Sequence, residues 1–480
     1  MKRLLFSLLA VSACASAGCA STSAQPAFRD AAHLVESRMG GPSRALVWDQ
    51  DADADRQVRK RVRDLLAREL TVDAAVQIAL LNNRDLQATF EDLQIAQADL
   101  VQAGLLQNPV FGASVAFPVA GNAARGFGLS ITDDFIGLFT MAARKRIAAS
   151  ELEGAKMRVA DGVLRVAFAT KEAFFRLEGA TQVAAMRRTI AAAGDAALGV
   201  ATRLKEAGNI SELDLANQES LREDVGADLL RSEADVLTAR EALTRAMGLW
   251  GADAEYRIAP KLPELPAEEP PLDAAADVAL ARRLDLGAVR AKSESLARAL
   301  DLVKSSRWFG SVSVGADFER APEGFSVLGP TAGIELPIFD QRQAAIARLE
   351  GQLRAARARE AALAVGIRSE VREACGRALA TRAIVKRYAE VIVPLREHVV
   401  ALAQQQYDAM LLGVFPLIVA KQSETNAYRE FIEALRDYWI ARADLERAAA
   451  GPLPLPPAPV SDGAPARVSA PVATASRTPS

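Results

Sequence analysis

Apolar positions recur along this chain with two different periods, and the changes of period mark out its elements. Four short stretches alternate at period two. VFGASVAFP (110–118) puts Phe111, Ala113, Val115 and Phe117 on one side and Gly112, Ser114 and Ala116 on the other. FGLSITDD (127–134) opposes Phe127, Leu129 and Ile131 to Gly128, Ser130 and Thr132. WFGSVSVGADF (308–318) sets Val312, Val314, Ala316 and Phe318 against Ser311, Ser313, Gly315 and Asp317. TAGIELPIF (331–339) sets Ala332, Ile334, Leu336 and Ile338 against Thr331, Gly333 and Glu335. Such alternation predicts strands with one apolar face and one small or polar face. The loops VAGNAAR and ERAPEGFSVLGP join them into two hairpins.

Elsewhere the period is helical. Thr71 stands as an N-cap before a helix with Asp73 in its first turn, running to about Gln107 and stopping at Asn108-Pro109. A very long helix follows from about Gly137 to Glu206, with Val159, Val163, Val166, Ala169, Ala173 and Leu177 on one stripe. Straight, it would measure roughly 100 Å, which suits coiled-coil or tube-like packing rather than a globular core. Ala207-Gly208-Asn209 breaks it, and a return helix spans about Ser211–Met247. The same order recurs downstream: a helix over 272–305, the second hairpin, a long helix from about Gln341 to Leu411, a break at Gly413, and a return helix over 417–449. Leu363, Ile367, Val371, Cys375 and Ala378 form the second stripe, which predicts a small buried core role for Cys375.

This recurrence is visible residue by residue. VDAAVQIALLNNRDLQA (72–88) aligns without a gap to LDAAADVALARRLDLGA (272–288), with eight of seventeen positions identical. The chain is therefore one unit used twice. The expected division is a signal segment 1–18, a linker 19–70 with short structure, a first repeat 71–250, a Pro-rich linker 251–271, a second repeat 272–450, and a disordered Pro/Ala-rich tail 451–480.

Composition narrows the function. The 480 residues are half apolar with a net charge of −2, which offers nothing to nucleic acid. Two histidines and three cysteines, far apart, build no zinc cluster or catalytic triad, and no phosphate-binding glycine loop is present. That shortage argues against an enzyme and against a cofactor. Lys2-Arg3, the apolar run LLFSLLAV and the small residues after it read as an export signal. Cys19, after Gly18, is the candidate lipidated residue of a bacterial lipoprotein signal, with Cys14 the alternative.

No uninterrupted apolar run is long enough to span a bilayer as a helix, so any crossing is by strands. The four strands have the length that crosses a bilayer at a tilt, with lipid on the apolar face and a lumen on the small one. Four strands cannot close a membrane barrel, which takes at least about eight, and open edges do not persist in lipid. Chains must associate: two copies supply eight strands and three supply twelve.

LTVDAAVQIALLNNRDLQA, ADLVQAGLLQNPVF, LPIFDQRQAAIARLEGQLRAARARE and LLGVFPLIVAKQSETNAYREFIEALRDYWIARADLERA occur in order and partly in duplicate. Together they resemble the TolC-type outer-membrane efflux protein family over most of 70–450. The resemblance implies a mainly α fold with a transmembrane β-barrel: a homotrimer whose twelve-stranded barrel continues as a periplasmic α-helical barrel. It implies docking to a periplasmic adaptor and an inner-membrane pump, and passive efflux of metal ions or small toxic compounds. Metal is slightly preferred over drug, although the chain has no His, Cys or Met cluster of its own. The hairpin tips would meet the adaptor. Gly208, Leu213 and Asp214 match the family's Gly-x4-Leu-Asp pattern; Gly413 matches at the second tip, with Leu417 beside it, but the acidic position is apolar near Ile418. The competing reading is a non-conducting coiled-coil scaffold of the periplasm or outer membrane.

Overall fold

The computed structural model describes residues 21–39, 46–49, 52–117, 125–269, 272, 274–308, 310–320 and 325–452. The signal segment with Cys14 and Cys19, and the tail beyond residue 452, lie outside the described residues. Among the described residues two fifteen-residue helices come first, α1 (Gln25–Met39) and α2 (Ala52–Leu66). The segment expected as a linker thus carries substantial helix. Its apolar stripe is short and sits among charges, so the period is faint: Phe28, Ala31 and Val35 are buried, and so is Trp48. The ring of Phe28 lies 5.5 Å from that of Trp48 and 5.0 Å from that of Phe90, tying this segment to the first repeat.

The single helix expected over 71–107 is two, α3 (Val72–Asn82) and α4 (Arg84–Ala103). Thr71 caps the first by accepting from the Ala74 amide at 3.2 Å. Asn83 ends α3 in extended conformation and caps α4, accepting from the Leu86 amide at 3.0 Å. The adjacent side-chain amides satisfy a distant helix end: Asn82 donates to the Gly248 carbonyl at 2.6 Å and Asn83 to that of Ala246 at 3.1 Å. Gly248 holds φ +66, and a Cβ there would stand 2.6 Å from the Asn82 oxygen. The equivalent residue of the second repeat, Arg283, breaks that helix with nearly the same dihedrals, giving α7 (Ala275–Arg282) and α8 (Leu284–Ser306). Here an ion pair replaces the amides, with Arg283 2.6 Å from Asp285 and 2.5 Å from Glu370.

In the first repeat, the long helix α5 (Ile136–Glu206) is unbroken for 71 residues, and α6 (Glu212–Met247) returns beside it. Of its expected stripe, Val159, Val163, Ala173 and Leu177 are buried, Val166 is half-buried and Ala169 is exposed. Its counterpart, expected to run without a break over 341–411, is interrupted: α9 (Gln343–Arg387) passes through a π-turn at Tyr388–Ile392 into α10 (Val393–Asp408). Pro394 has no N–H for the carbonyl four residues back, and the widened turn absorbs the mismatch. The return helix is α11 (Val414–Ala448). Cys375 is half-buried at the edge of an Ile367–Val371–Ala378 cluster rather than fully enclosed.

The strands are β1 (Val110–Ala116), β2 (Gly126–Asp134), β3 (Val312–Arg320) and β4 (Ser326–Ile334), in one antiparallel sheet of order β1-β2-β3-β4. β4 lies earlier than expected, and Leu336 and Ile338 fall beyond it. The charged Glu319-Arg320 and Pro330 suggested a loop, yet β3 continues through Arg320 opposite Ser326. Pro330 lies on β4, the edge of the sheet within one chain, and Pro337 follows soon after the ladder ends.

The core lies midway along the long helices, between Leu152 and Ala184 of α5, Leu353 and Val385 of α9, and from Ala427 on in α11. The Pro-rich linker crosses it as a strap. The Leu262 amide donates to Gln182 at 3.0 Å and the Trp439 indole to the Pro263 carbonyl at 2.9 Å. Glu269 accepts from Arg382 at 2.7 Å, from Arg442 at 2.9 Å and from the Tyr438 hydroxyl.

Glu178, on α5, is only 2% exposed, and its Oε2 finds no donor. Burial, with Glu69 adding repulsion, pushes its carboxyl up to about 7 from 4.5. Below 4.5 both folded and unfolded chains hold the proton. Between 4.5 and 7 the unfolded chain ionises first, so stability falls as pH rises through that window. Glu178→Gln is expected to raise the melting temperature of the detergent-extracted protein at alkaline pH, by roughly 2–3 kcal/mol of stability, and to leave it unchanged at acidic pH. A gain of equal size at both extremes would contradict the assignment.

Candidate functional site

Two regions lack the cover that a core supplies. The first is the sheet. Its register pairs Phe111 with Ile131, Val115 with Phe127, Leu129 with Phe318 and Val312 with Ile334. Directly opposed residues share a face, so these side chains and Val314 form one continuous apolar surface. Phe111, Val115, Phe127, Ile131, Val314 and Ile334 on it are exposed, while Leu129, Val312 and Phe318 are half-buried. Phe117 lies just past β1, exposed, with the Arg125 guanidinium 5.3 Å over its ring. Leu336 and Ile338 are exposed in a turn beyond β4, where the Ile338 amide donates to the Leu336 carbonyl at 2.8 Å. Leu328, opposite Phe318 and 74% exposed, also belongs to this face; its place in a segment read as loop hid it.

On the reverse face Ser130 stands opposite Asp317 and Gly128 opposite Glu319. Backbones approach closely there: a Cβ on Gly315 would fall 2.2 Å from the Ile131 oxygen. That face carries the carboxylates of Asp134, Asp317 and Glu319, and no lysine or arginine among its described strand residues. β1 and β4 each leave one edge unpaired among the described residues.

The second region comprises the two hairpin tips at the far ends of the helices. In the first, Gly208 adopts φ +75 and Ser211 begins α6 with a capping box. The Ser211 hydroxyl accepts from the Asp214 amide at 3.1 Å, and Asp214 accepts in turn from the Ser211 amide at 3.1 Å. Asp214 is thus occupied in shaping the turn, while Leu213 projects into solvent, 69% exposed. In the second tip the left-handed position falls at Met410 (φ 59), not at Gly413, which is extended at φ −73. Met410 is 93% exposed, Leu411 nearly as much, and Leu417 is half-buried. Met410 and Leu411 were not singled out from sequence, because neither residue type announces a left-handed turn. Behind this tip the Tyr388 hydroxyl donates to Glu430 at 2.8 Å and the Tyr428 hydroxyl donates to Glu397, which with burial pushes Tyr428 up to about 12. Both bonds join the two helices of the hairpin.

Among the described residues no group of three or more His, Cys, Asp and Glu is placed to hold a metal ion. No described helix is long and apolar enough to cross a membrane. Among the described residues the arrangement offers two exposed surfaces, the sheet face and the hairpin tips.

No family model matches the chain. It is 24% identical over 399 residues to the cobalt-zinc-cadmium resistance protein CzcC of Cupriavidus metallidurans, covering 79% of this chain and 89% of that protein. The structure resembles the Campylobacter jejuni outer-membrane channel CmeC with a TM-score of 0.69 at 16% identity, over 79% of this chain and 85% of that one. It also resembles the open state of the Neisseria gonorrhoeae outer-membrane channel MtrE, with a TM-score of 0.64 at 16% identity, over 80% and 89%. The chain thus shares the fold of these two solved outer-membrane channels.

Proposed function

We propose that this protein is the outer-membrane exit duct of a tripartite efflux system, passively conducting its cargo from periplasm to exterior. One observation carries the reading: a four-stranded sheet with an exposed apolar face, a small polar face and two unpaired edges. In lipid such a sheet satisfies its backbone only by closing on copies of itself. Three chains supply twelve strands, enough to enclose a lumen lined by Ser130, Thr132, Asp317 and Thr331. Strands of nine residues at a tilt of roughly 40° rise about 23 Å, close to the apolar thickness of an outer-membrane barrel. The helices would continue the ring into the periplasm.

The tips are then the mouth that meets a periplasmic adaptor, which in turn joins an inner-membrane pump. Gly208, Leu213, Asp214, Gly413 and Leu417 would position or make those contacts, with Met410 and Leu411 as added apolar contacts. The unlike tips would alternate around the mouth. Cys19, or Cys14, would carry the lipid anchor. The two repeats would span 71–250 and 272–450. The cobalt-zinc-cadmium resistance named for CzcC supports metal ions over other toxic compounds as cargo. A duct needs no catalytic residue or cofactor of its own, because the pump supplies the energy.

Protein extracted from the outer-membrane fraction should run as a trimer of three 51.1 kDa chains, about 150 kDa before processing and after correction for detergent. A monomer in the soluble periplasmic fraction would remove the barrel and favour a scaffold. Within the sheet the two faces should respond oppositely. Val115→Asp, on the apolar face, is expected to cut the yield of membrane-inserted trimer severely, whereas Ser114→Asp on the neighbouring face should leave it near wild type. Equal tolerance of both substitutions would count against a lipid-facing surface.

A further inference from the structure

The apolar surface does not stop where the strands end. At the helical end of the sheet Phe135 and Phe139 are exposed, with ring centroids 5.2 Å apart, and Trp308 and Phe339 are exposed on the adjoining connections. Cations follow directly. On α5, Lys145 lies seven residues after Leu138 and Arg146 seven after Phe139, so each cation sits two turns below an exposed apolar residue on the same helix face. The offset is roughly 10 Å along the axis. Arg307 ends α8 with its guanidinium 4.4 Å over the Trp308 ring. Arg348, early in α9, is exposed as well.

Several of these cations are left without an ion-pair partner. Lys145, Arg146, Arg307 and Arg348 have no carboxylate within ion-pair distance among the described residues, whereas nearby Lys304 is held by Glu350 at 2.7 Å. Asp134 and Glu335, at the same level, lie on the small-residue face and accept from the Ile136 and Ser311 amides at 3.0 Å and 2.9 Å. Among the described strand residues only Asp133 puts a carboxylate on the apolar face.

We propose that this collar binds the anionic headgroups of phospholipids in the periplasmic leaflet. Aromatic rings favour the boundary between acyl chains and headgroups, and lysine and arginine beyond them extend toward phosphate while their stems stay apolar. Continuity with the apolar face of the sheet selects a lipid over a soluble phosphate or an acidic protein. The inference rests on the outer-membrane duct reading. It adds that the duct holds anionic lipid in preference to zwitterionic lipid.

The test uses the intact trimer in mild detergent, incubated with equimolar phosphatidylglycerol and phosphatidylcholine, repurified, and assayed for bound lipid by mass spectrometry. Phosphatidylglycerol should be enriched several-fold over phosphatidylcholine, and the enrichment should shrink as salt is raised. Each neutralised cation among Lys145→Gln, Arg146→Gln and Arg307→Gln should weaken it by about fivefold until the two lipids are held equally. A wild-type trimer that retains both lipids equally would overturn the proposal while leaving the duct intact. So would unchanged enrichment in a triple variant that remains trimeric, or stabilisation by inorganic phosphate without lipid enrichment. Recovery of a soluble monomer would instead overturn the duct reading and the collar with it. Should the triple variant fail to assemble, the wild-type lipid ratio and its salt dependence decide the question alone.

Discussion

Unpaired backbone at the two edges of the sheet is the constraint on which the rest of this architecture depends. β1 and β4 each present a row of N–H and C=O groups with no partner strand among the described residues. The apolar residues of the sheet are open or half-open to the surroundings. In water such a sheet is an aggregation template, and in lipid its edges are costlier still. Closure with other copies resolves both edges at once. It also explains why the chain spends its ordinary hydrophobic core elsewhere, in the middle of the helices, where burial needs no partner.

The helical body depends on corners rather than on helix propensity. A chain rich in alanine and leucine forms helices readily, but a long straight helix encloses nothing. Asn83 and Arg283 turn the chain at equivalent places in the two repeats with nearly equal dihedrals. The chemistry behind those turns differs: one repeat satisfies helix-end carbonyls with side-chain amides, the other uses an arginine between two carboxylates. The conserved geometry belongs to the backbone path, and each copy reaches it with its own side chains. The linker strap then fastens the copies together, since the Leu262 amide donates to Gln182 of α5 while Glu269 collects Arg382 from α9 and Arg442 and Tyr438 from α11.

Where the repeats diverge, the divergence gathers in the distal half of the second hairpin. Only the second long helix carries Pro394 and its π-turn, and only the second tip exposes a left-handed methionine. A non-glycine residue held at positive φ costs free energy and persists where the surroundings or a partner compensate. The second hairpin is the less regular of the two, and its tip the more apolar.

The alternation of Phe111, Val115, Phe127 and Ile131 was legible because period two survives in a sheet whose faces meet different media. The long helices and the duplication were legible for a similar reason, since burial along one stripe repeats with the helical turn. The limits of β4 were not, because a charged pair and a proline mimic a loop, and only pairing with β3 reveals a ladder. Nor were the packing of α1 against Phe90, the corner at Asn83 or the unpartnered cations below the sheet, each of which arises between residues far apart in sequence. Sequence by itself determined the element types, the two-sidedness of the strands and the repeat, since these are local periodicities read against solvent. Tertiary structure alone decided register, corners and the joining of the two units, because hydrogen bonds and close contacts across long sequence separations set them.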